Sequence, residues 1–470
     1  MQTAFNAQKS AMDREPWPFI AKRISLIDDC IALLIEHQDE ICEAIAQDFS
    51  ARPKEVSLFA DVAAAIGSLK YAKANIHKWT KVQNRPTTPR LLSFLGAKAQ
   101  VRYQPKGIVG VISPWNFPIF LTFGPLGQIL AAGNRVMIKP SEYTPHTSAL
   151  IKKMIESKFA IEDIAVVTGD AQIGAEFAQL PFDHLLFTGG TAVGRHIMAA
   201  AAKNLVPLTL ELGGKSPTII SKTANIKDAA KRIMAGKLLN AGQICLAPDY
   251  VFVPQEKLAE LTSEIKIAVS EMFPKIIANQ DYTAIVNERH FARLSSYIDE
   301  AKSKNSEIIE INPDDEDFSK QNGRKFPPTL IINPDEDLKV MQDEIFGPIL
   351  PIKTYNNIGE VIGYVNAHER PLALYYFGED ESEQEQVINS TNSGGVTIND
   401  VLFHIAMEEM PFGGVGASGF GAYHGIEGFR EFSHARSIYK QLKSDIGPLK
   451  TIRPPYGKAI MAYLKTQIKA

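Results

Sequence analysis

The stretch between Lys106 and Arg135 constrains the fold most, because none of its 28 residues is charged in a chain that is 22% charged. A membrane-spanning helix needs roughly 20 consecutive apolar residues. Prolines and glycines interrupt this run at Gly107, Gly110, Pro114, Pro118, Gly124, Pro125, Gly127 and Gly133. We therefore expect a buried part of a globular protein here, and no membrane span.

The same stretch divides into a strand, a loop and a helix. Its first residues, "GIVGVI" (Gly107–Ile112), form the continuous apolar run that is typical of a parallel strand covered on both faces. "SPWNFP" then predicts a rigid loop, and Gly124–Ala132 a buried helix. Asn116 stands between a tryptophan and a phenylalanine in that loop, which raises the question of what its amide does.

Size and charge narrow the class of protein. A chain of 470 residues is too long to fold around one ordinary hydrophobic core, so two or three domains are expected. The formal net charge is −3, with no basic tail and no Lys/Arg block, so we predict no nucleic-acid partner.

The cysteines Cys30, Cys42 and Cys245 are too few and too scattered for a disulfide framework. No CxxC pair suggests zinc, and we predict no metal site. The N-terminus lacks an apolar segment followed by a small-residue cleavage site, so a cytoplasmic location is expected.

Short apolar runs alternate with helical segments from Val101 to Glu211, after a helical region at Pro18–Lys81. The strand candidates are Gly107–Ile112, Arg135–Pro140, Ile164–Gly169, Asp183–Gly189 and Val206–Leu212. This alternation predicts an α/β fold with a doubly wound parallel sheet. A second α/β stretch follows from Gly213 to about Gly425, with helices expected at Lys227–Leu239, Glu256–Met272 and Arg289–Ser303.

The segment "DHLLFTGGTAVGRHI" places two glycines between a strand and a helix that is expected to begin near Val193. Such a loop can present backbone N–H groups and a helix N-terminus to a pyrophosphate. Thr191 stands where the middle glycine of G-x-G-x-x-G would be, so a plain strand-to-helix turn is an equally good interpretation. Lys139 and Glu142 lie at the end of the strand candidate Arg135–Pro140, where a lysine can donate to ribose or phosphate and a carboxylate can accept ribose hydroxyls. Two solvated charges after a strand are the alternative.

Two further residues suggest covalent chemistry. Cys245 lies in "NAGQICLAPDY", a Gly/Asn/Gln/Pro setting that suits an accessible nucleophilic thiol, although a buried structural cysteine is the alternative. Glu211 lies inside an apolar strand, where a buried carboxylate needs a partner or its pKa rises toward that of a general base. A glutamate satisfied by backbone N–H groups at the strand end is the alternative. The histidines His404 and His424 are interpreted as structural.

Seven motifs, in this order, resemble the NAD(P)-dependent aldehyde dehydrogenase family. They are "PWNFP", "KPSE", "FTGGTAVGR", "ELGGKSP", "GQICLAPDY", "EIFGP" and "PFGGVGASG". The closest likeness is to the class-3-like, coniferyl-aldehyde dehydrogenase branch, through "CLAPDY", "FGAYHGIEGF", "EFSHARS", "KPSEYTP" and "RPLALYYF".

The resemblance implies a role for each of the residues singled out. Cys245 is expected to attack the aldehyde, Asn116 to donate to the resulting oxyanion, and Glu211 to activate water that hydrolyses the thioester. NAD is the expected cofactor, and NADP the second candidate. The expected cofactor-binding residues are Pro114, Trp115, Lys139, Glu142, Gly169, Gly189, Gly190, Thr191, Val193, Leu212, Glu344 and Phe346. Gly190 departs from the family, in which many relatives carry Ser or Asn.

The resemblance also implies the aldehyde dehydrogenase fold and its division into parts. The expected parts are a cofactor domain (residues 1–85 and 103–211), a catalytic domain (212–425), a β-hairpin oligomerisation element (86–102 and 426–445) and a tail (446–470). A homodimer is expected.

The reaction class leaves alternatives. An apolar or aromatic, coniferyl-like aldehyde is the expected substrate, because Trp115, Phe117 and Phe403 suggest an apolar tunnel, and a medium- or long-chain aliphatic aldehyde is the main alternative. A CoA-acylating enzyme is a further alternative, and Glu211 argues against it because a base that activates water serves hydrolysis. A non-catalytic binding protein is another, and the joint presence of Cys245, Asn116 and Glu211 argues against it.

Overall fold

The computed structural model describes residues 1–445 and 447–468. Two compact units divide them. The first contains residues 1–79 and 105–433, and the second contains residues 80–104 and the described residues from His434 onward.

The strands of the described residues are short, as in most α/β proteins. They are β1 Gln83–Arg85, β2 Lys98–Pro105, β3 Ile108–Ile112, β4 Arg135–Lys139, β5 Ile164–Val166, β6 His184–Gly189, β7 Leu208–Leu212, β8 Pro217–Ile220, β9 Tyr250–Pro254, β10 Glu307–Glu310, β11 Thr329–Ile332, β12 Ile349–Tyr355, β13 Ala373–Phe377, β14 Gly395–Ile398, β15 Gly419–Phe420 and β16 Ser433–Lys440.

Helices precede, follow and connect these strands. They are α1 Gln2–Arg14, α2 Ile20–Glu36, α3 Gln38–Phe49, α4 Lys54–Val56, α5 Ala64–Trp79, α6 Leu91–Phe94, α7 Phe120–Ala132, α8 Pro145–Lys158, α9 Ala171–Phe177, α10 Thr191–Ala202, α11 Ile226–Leu238, α12 Leu258–Met272, α13 Glu288–Ser303, α14 Lys339–Gln342, α15 Ile358–Ala367, α16 Glu381–Ser390, α17 Gly425–Glu431, α18 Gly447–Thr451 and α19 Lys458–Gln467. A π-helical segment, Ser57–Ala63, joins α4 to α5.

The first unit contains a six-stranded sheet in the order β15-β7-β6-β3-β4-β5. All of its pairings are parallel except that of β15 with β7. Every residue of β3 and β4 is buried, as expected for strands that helices cover on both faces. The predicted doubly wound parallel sheet is thereby confirmed. Its parallel strands also bring the loops after β3, β6 and β7 to one edge.

A seven-stranded sheet in the same unit has the order β10-β11-β12-β9-β8-β13-β14. Only β10 pairs antiparallel with its neighbour, β11, and the remaining pairings are parallel. The apolar side chains of Ile219, Phe252, Leu374 and Val387 belong to its core, and each is at most 4% exposed. This sheet contains the predicted strands at Tyr250 and Gly395.

The uncharged stretch between Lys106 and Arg135 forms β3, a loop and α7. The helix begins at Phe120, four residues before the predicted start, and Leu121–Ala132 are buried throughout. Its charge-free composition follows from this burial, because an unpaired charge inside a protein costs several kcal/mol. Among the described residues, no helix has both the length and the apolar character that crossing a bilayer requires.

The N-terminal helix α1 has no counterpart in the sequence prediction. Gln8 on this helix is fully buried and donates from Nε2 to the backbone carbonyl of Val136, on β4, at 2.8 Å. Phe5 packs edge-on against Phe182 with ring centroids 5.7 Å apart. The helix therefore covers part of the six-stranded sheet.

The second unit contains a three-stranded sheet in the order β1-β2-β16. Its first two strands are antiparallel, and Asn84 lies opposite Gln100. The sequence segments expected to form a bridging hairpin thus contribute strands of one sheet. The oligomerisation role of this sheet stays a prediction, as does the division of the first unit into cofactor and catalytic domains.

Candidate active site

A cavity of about 710 Å³ in the first unit opens at the carboxyl edge of the six-stranded sheet. Its walls include many of the residues predicted for catalysis and cofactor binding. These are Pro114, Trp115, Asn116, Gly189, Gly190, Thr191, Glu211, Cys245, Glu344 and Phe346. The loop after β3, the end of β6 and the strand β7 supply the residues from the sheet edge, as the parallel topology requires.

Asn116 lies in the loop between β3 and α7, and its side chain is anchored from one side. Its Nδ2 donates to the backbone carbonyl of Gln243 at 3.2 Å. A side-chain amide has two N–H donors, so one remains for the cavity. The backbone carbonyl of Asn116 accepts from Arg52 Nη1 at 2.6 Å and from Asn240 Nδ2 at 3.1 Å. Hydrogen bonds to both the backbone and the side chain of Asn116 therefore hold its side-chain amide in place.

The segment that leads to Cys245 has an unusual backbone. Asn240, Ala241 and Gly242 have φ values of 51°, 52° and 75°, so three successive residues adopt left-handed conformations. Such conformations persist only where surrounding structure enforces them, and they cluster at active sites. Here Gln243 enforces them, because its Nε2 donates to the carbonyls of Asn240 and Ala284 at 3.0 and 3.1 Å.

Cys245 is partly exposed to the cavity, whereas Cys30 and Cys42 are buried in helices. Burial raises the pKa of the Cys245 thiol, and the carboxylates of Glu344 and Glu211 raise it further. The backbone N–H groups of Cys245 and Leu246 oppose this shift. The thiol is therefore protonated at rest, and it needs a base or a nearby positive charge to become a nucleophile.

Glu211 lies on β7 with 3% of its surface exposed. Neither carboxylate oxygen has a hydrogen-bond partner among the described residues. Burial raises the pKa of Glu211 well above its ordinary value, and the neighbouring charge of Glu431 adds to this. A carboxyl group with this environment and access to the cavity can act as a general base near neutral pH.

Glu344 lies directly over Gly213, at the turn after β7. A Cβ on Gly213 would fall 2.0 Å from Glu344 Oε1, so only glycine permits this approach. Burial raises the pKa of Glu344 to about 8, and the charge of Asp249 contributes. Its buried Oε1 has no partner among the described residues, although it borders the cavity. It is thus available to accept a ligand hydroxyl.

The glycine loop leads directly into α10, which begins at Thr191, two residues earlier than predicted. Gly190 is the N-cap residue, and the space where its side chain would be is open within 4 Å. Backbone N–H groups at this helix start can bind an anionic group in the cavity. Across the cavity, Trp115 and Phe346 meet edge-on with ring centroids 5.3 Å apart. An anion site and an aromatic wall in one cavity fit a dinucleotide.

Five of the predicted cofactor residues do not border the cavity: Lys139, Glu142, Gly169, Val193 and Leu212. Lys139 ends β4, is 3% exposed and forms a 2.8 Å ion pair with Glu142. Leu212 instead packs against the start of α10, where a Cβ on Gly194 would fall 2.8 Å from Leu212 Cδ2. The predicted cofactor contacts of these five residues stay predictions.

Residues of α13 were missed by the sequence analysis. His290, Arg293 and Tyr297 border the cavity, and Arg293 Nη1 donates to the carbonyl of Ile345 at 2.9 Å. The three residues recur at intervals of three and four, which places them on one face of a helix. That spacing indicates a common helix face, but it does not indicate that this face borders the cavity.

Comparison with known proteins supplies the family. The model of the "Aldehyde dehydrogenase family" matches residues 1–438. "Probable coniferyl aldehyde dehydrogenase" of Caulobacter vibrioides is 55% identical, over 100% of this chain and 97% of that protein. "Coniferyl aldehyde dehydrogenase" of a Pseudomonas species is 50% identical, over 94% of this chain and 91% of that protein. The predicted family resemblance is confirmed.

Solved structures agree. "Substrate bound state of Staphylococcus Aureus AldH" superposes with a TM-score of 0.92 at 36% identity, over 100% of this chain and 99% of that one. "NAD+ complex structure of aldehyde dehydrogenase" from Bacillus cereus has a TM-score of 0.83 at 27% identity, over 94% and 88% of the two chains. From its motifs, its fold and these relatives, the chain belongs to the aldehyde dehydrogenase family.

Proposed function

We propose that this chain oxidises an aromatic, coniferyl-like aldehyde to the carboxylic acid with NAD, and with NADP as the second candidate cofactor. The observation that supports this best is the meeting of Cys245, Asn116 and Glu211 at one cavity. These residues supply a nucleophile, an oxyanion donor and a general base, which are the three functions that hydrolytic aldehyde oxidation needs.

In the first step, the Cys245 thiol gives its proton to Glu211, which passes it to solvent, while the sulfur bonds to the aldehyde carbon and the carbonyl oxygen becomes an oxyanion. The free N–H of Asn116 and the backbone N–H of Cys245 stabilise that charge. A single donor of this kind is typically worth about 10²–10³ in rate. The anchor from Asn116 to Gln243 fixes the donor before the charge develops, so no reorganisation is required.

The nicotinamide ring of a bound NAD would supply the acceptor for the hydride on this carbon. We expect Glu344 to accept from a ribose hydroxyl through its partnerless oxygen, and the start of α10 to bind the pyrophosphate. The aromatic pair Trp115 and Phe346 would cover the ring and exclude water from it. Lys139 and Glu142 would contact the adenosine ribose.

Loss of the hydride leaves a thioester on Cys245. Glu211 then removes a proton from water, the hydroxide attacks the thioester carbon, and the carboxylic acid leaves as the thiolate returns. Overall, aldehyde, water and oxidised cofactor become acid, reduced cofactor and a proton. A base buried beside the thioester favours water as the acceptor, and it therefore argues against transfer of the acyl group to CoA.

The substrate class rests on the two relatives named for coniferyl aldehyde, which are 55% and 50% identical. We propose a homodimer in the cytoplasm, with the three-stranded sheet of the second unit as the oligomerisation element. An edge strand such as β16 can pair with a second subunit. We further propose that the six-stranded sheet binds the cofactor and that the seven-stranded sheet belongs to the catalytic domain.

Formation of reduced cofactor by the purified protein tests the reaction. The assay supplies NAD or NADP with coniferaldehyde, cinnamaldehyde, benzaldehyde, hexanal or a long-chain aldehyde, without CoA. Turnover of the aromatic aldehydes supports the proposal, whereas turnover only after CoA is added would replace it with an acylating reaction. Cofactor binding without any turnover would favour a non-catalytic protein.

A further inference from the structure

The loop that connects α14 to β12, residues 343–348, contains two of the residues proposed to contact the cofactor. We call it the carboxylate loop. Glu344 and Phe346 both border the cavity. Phe346 has a φ of 49°, which lies in the left-handed region that a residue with a side chain adopts only at a cost. Such a conformation persists where neighbouring structure enforces it, so the contacts of the carboxylate loop identify the residues that position it.

Arg293 on α13 binds the backbone of the carboxylate loop. Its Nη1 donates to the carbonyl oxygen of Ile345 at 2.9 Å and to that of Glu344 at 3.4 Å. These carbonyls belong to the two peptide groups directly before Phe346. A guanidinium group is planar and presents its N–H donors in a fixed fork, so it can hold neighbouring acceptors in a defined arrangement. Arg293 therefore restrains the two peptide planes that lead into the left-handed residue.

Asp249 holds the same backbone from the opposite side. The N–H of Ile345 donates to Asp249 Oδ2 at 2.9 Å, and Asp249 is 3% exposed. This N–H and the carbonyl of Glu344 belong to one peptide group, in which they point in opposite directions because the group is planar and trans. The plane cannot turn without lengthening the bond to Asp249 or the bond to Arg293. The direction in which the Glu344 side chain leaves the backbone is therefore fixed.

Two further residues of α13 contact the ends of the carboxylate loop. The hydroxyl of Tyr297, one turn after Arg293, accepts from Arg293 Nη1 at 3.0 Å and donates to Asp343 Oδ2 at 3.0 Å. Leu294 lies against Gly347, where an added Cβ would fall 2.4 Å from Leu294 Cδ2. One side of α13 thus contacts the carboxylate loop from its first residue to its fifth.

The side chains that the carboxylate loop presents have little room to move. A Cβ on Gly213 would fall 2.0 Å from Glu344 Oε1, and Phe346 meets Trp115 edge-on with ring centroids 5.3 Å apart. Both contacts would change if the loop shifted. Arg293 itself borders the cavity, so a direct contact with the phosphate groups of a dinucleotide is the alternative role for its charge.

We propose that Arg293 is a positioning residue, which holds Glu344 and Phe346 at the cavity through the backbone of the carboxylate loop. The inference rests on the proposed function, in which Glu344 accepts from a ribose hydroxyl and Phe346 covers the nicotinamide ring. It adds a residue of α13 that the sequence motifs did not indicate. It also states which part of the cofactor depends on Arg293, namely the nicotinamide riboside and not the adenosine or the phosphate groups.

Calorimetric titration of the purified full-length chain with NAD and with ADP tests the inference, because ADP contains the adenosine and two phosphate groups of NAD but lacks the nicotinamide riboside. In Arg293→Met the affinity for NAD should fall by about tenfold, roughly the loss of one hydrogen bond from a charged donor. The affinity for ADP should change by less than about twofold. Lys302→Met, which removes an exposed cation from the same helix, is the matched control and should bind both nucleotides as the wild type does. Equal losses for NAD and ADP in Arg293→Met would assign Arg293 to the phosphate groups and overturn the inference.

Arg293→Lys separates the shape of the guanidinium group from its charge. Lysine keeps a cation but replaces the planar fork with one ammonium group, so the affinity for NAD should stay at least about threefold below that of the wild type. Wild-type affinity in this variant would overturn the inference, because charge alone would then be sufficient.

Tyr297→Phe decides the inference if Arg293→Met does not fold. It removes the hydroxyl that lies between Arg293 and Asp343, and it should weaken NAD binding by about threefold while ADP binding stays at the wild-type level. Unchanged NAD affinity in Tyr297→Phe would then contradict the positioning role.

Failure of the proposed function would give a different result. A wild type that binds NAD but oxidises none of the aldehydes would refute the proposed reaction, and the comparison of NAD with ADP would still decide the role of Arg293. Turnover of coniferaldehyde by the wild type, together with wild-type NAD affinity in Arg293→Met, would refute this inference alone.

Discussion

Arg52 and Asp61 form an ion pair of 2.6 Å in which both side chains are fully shielded from solvent. Asp61 Oδ1 accepts from the backbone N–H groups of Ile119 and Phe120 at 3.0 Å, while Arg52 Nη1 donates to the carbonyl of Asn116 at 2.6 Å. The pair therefore connects the start of α7 to the loop that positions the oxyanion donor.

Replacing Arg52 with methionine should lower the free energy of unfolding by about 3–5 kcal/mol, because it leaves the Asp61 carboxylate buried without a counter-ion. Urea denaturation measures this. Arg14→Met is the control, since the Arg14–Glu162 pair is exposed and such pairs contribute at most about 1 kcal/mol. Equal midpoints for Arg52→Met and wild type would contradict the prediction.

Cys245→Ala should abolish aldehyde oxidation and leave cofactor binding intact, because the sulfur is the proposed nucleophile and the cofactor contacts lie elsewhere. Formation of reduced cofactor measures the first property. Quenching of Trp115 fluorescence on NAD addition measures the second, as this tryptophan borders the cavity. Cys42→Ala, at a buried helical cysteine, should retain oxidation. Undiminished oxidation by Cys245→Ala would refute the assignment of the nucleophile.

Glu211→Gln should slow thioester hydrolysis by about 10²–10⁴-fold, the typical contribution of a general base, while hydride transfer continues. Rapid mixing should then reveal a burst of reduced cofactor followed by slow turnover. In wild type the base acts only when deprotonated, and burial raises its pKa well above the ordinary value of a glutamate, so steady-state turnover should increase with pH over a range that lies above that ordinary value. A wild-type burst and wild-type turnover in the variant would exclude this role.

The affinity for NAD should increase as the pH rises through about 8, the value to which burial raises the pKa of Glu344. An ionised carboxylate accepts ribose hydroxyls more strongly than a neutral one, and the ionised fraction grows about tenfold from pH 7 to pH 9. Calorimetry at both pH values measures the change. Glu344→Gln should bind weakly with no such dependence, while exposed Glu381→Gln should behave as wild type. An unchanged pH dependence in Glu344→Gln would contradict the prediction.

Gly213→Ala should weaken NAD binding by at least about tenfold. The new Cβ would lie 2.0 Å from Glu344 Oε1, so the carboxylate would have to move away from its place at the cavity. Gly363→Ala is the control, since no atom lies within 4 Å of its added Cβ and the site is exposed on α15. That helix should become more stable by roughly 0.5–1 kcal/mol. Equal NAD affinity in Gly213→Ala and Gly363→Ala would show that Glu344 can relocate without loss.

The sequence was sufficient for the parts of the fold that a local pattern determines. A continuous apolar run such as Ile108–Ile112 predicted a buried strand because helices must cover both faces of a parallel sheet. The parallel topology then explains why Asn116 and Glu211 meet, since loops and strand ends on one edge converge. The helix α1 was missed, although its buried residues Ala4, Gln8 and Ala11 recur at helical spacing.

The features that local patterns did not predict depend on contacts between segments that are distant in sequence. No local pattern indicates that Arg293 borders the cavity, or that Gln243 fixes the backbone of Asn240, because both depend on segments distant in sequence. Gln128 is a similar case, because it packs beside the backbone of Tyr423, some 300 residues later in the chain.

The left-handed segment before Cys245 has a consequence for engineering. Ala241 has a φ of 52°, a left-handed conformation that costs a residue with a side chain roughly 1–2 kcal/mol. Glycine would not incur this cost. Ala241→Gly would relieve this cost, but it would also remove a fully buried methyl group, give the Asn240–Gln243 turn more freedom and loosen the amide of Asn116. In directed evolution, selection for turnover would therefore keep alanine at this position.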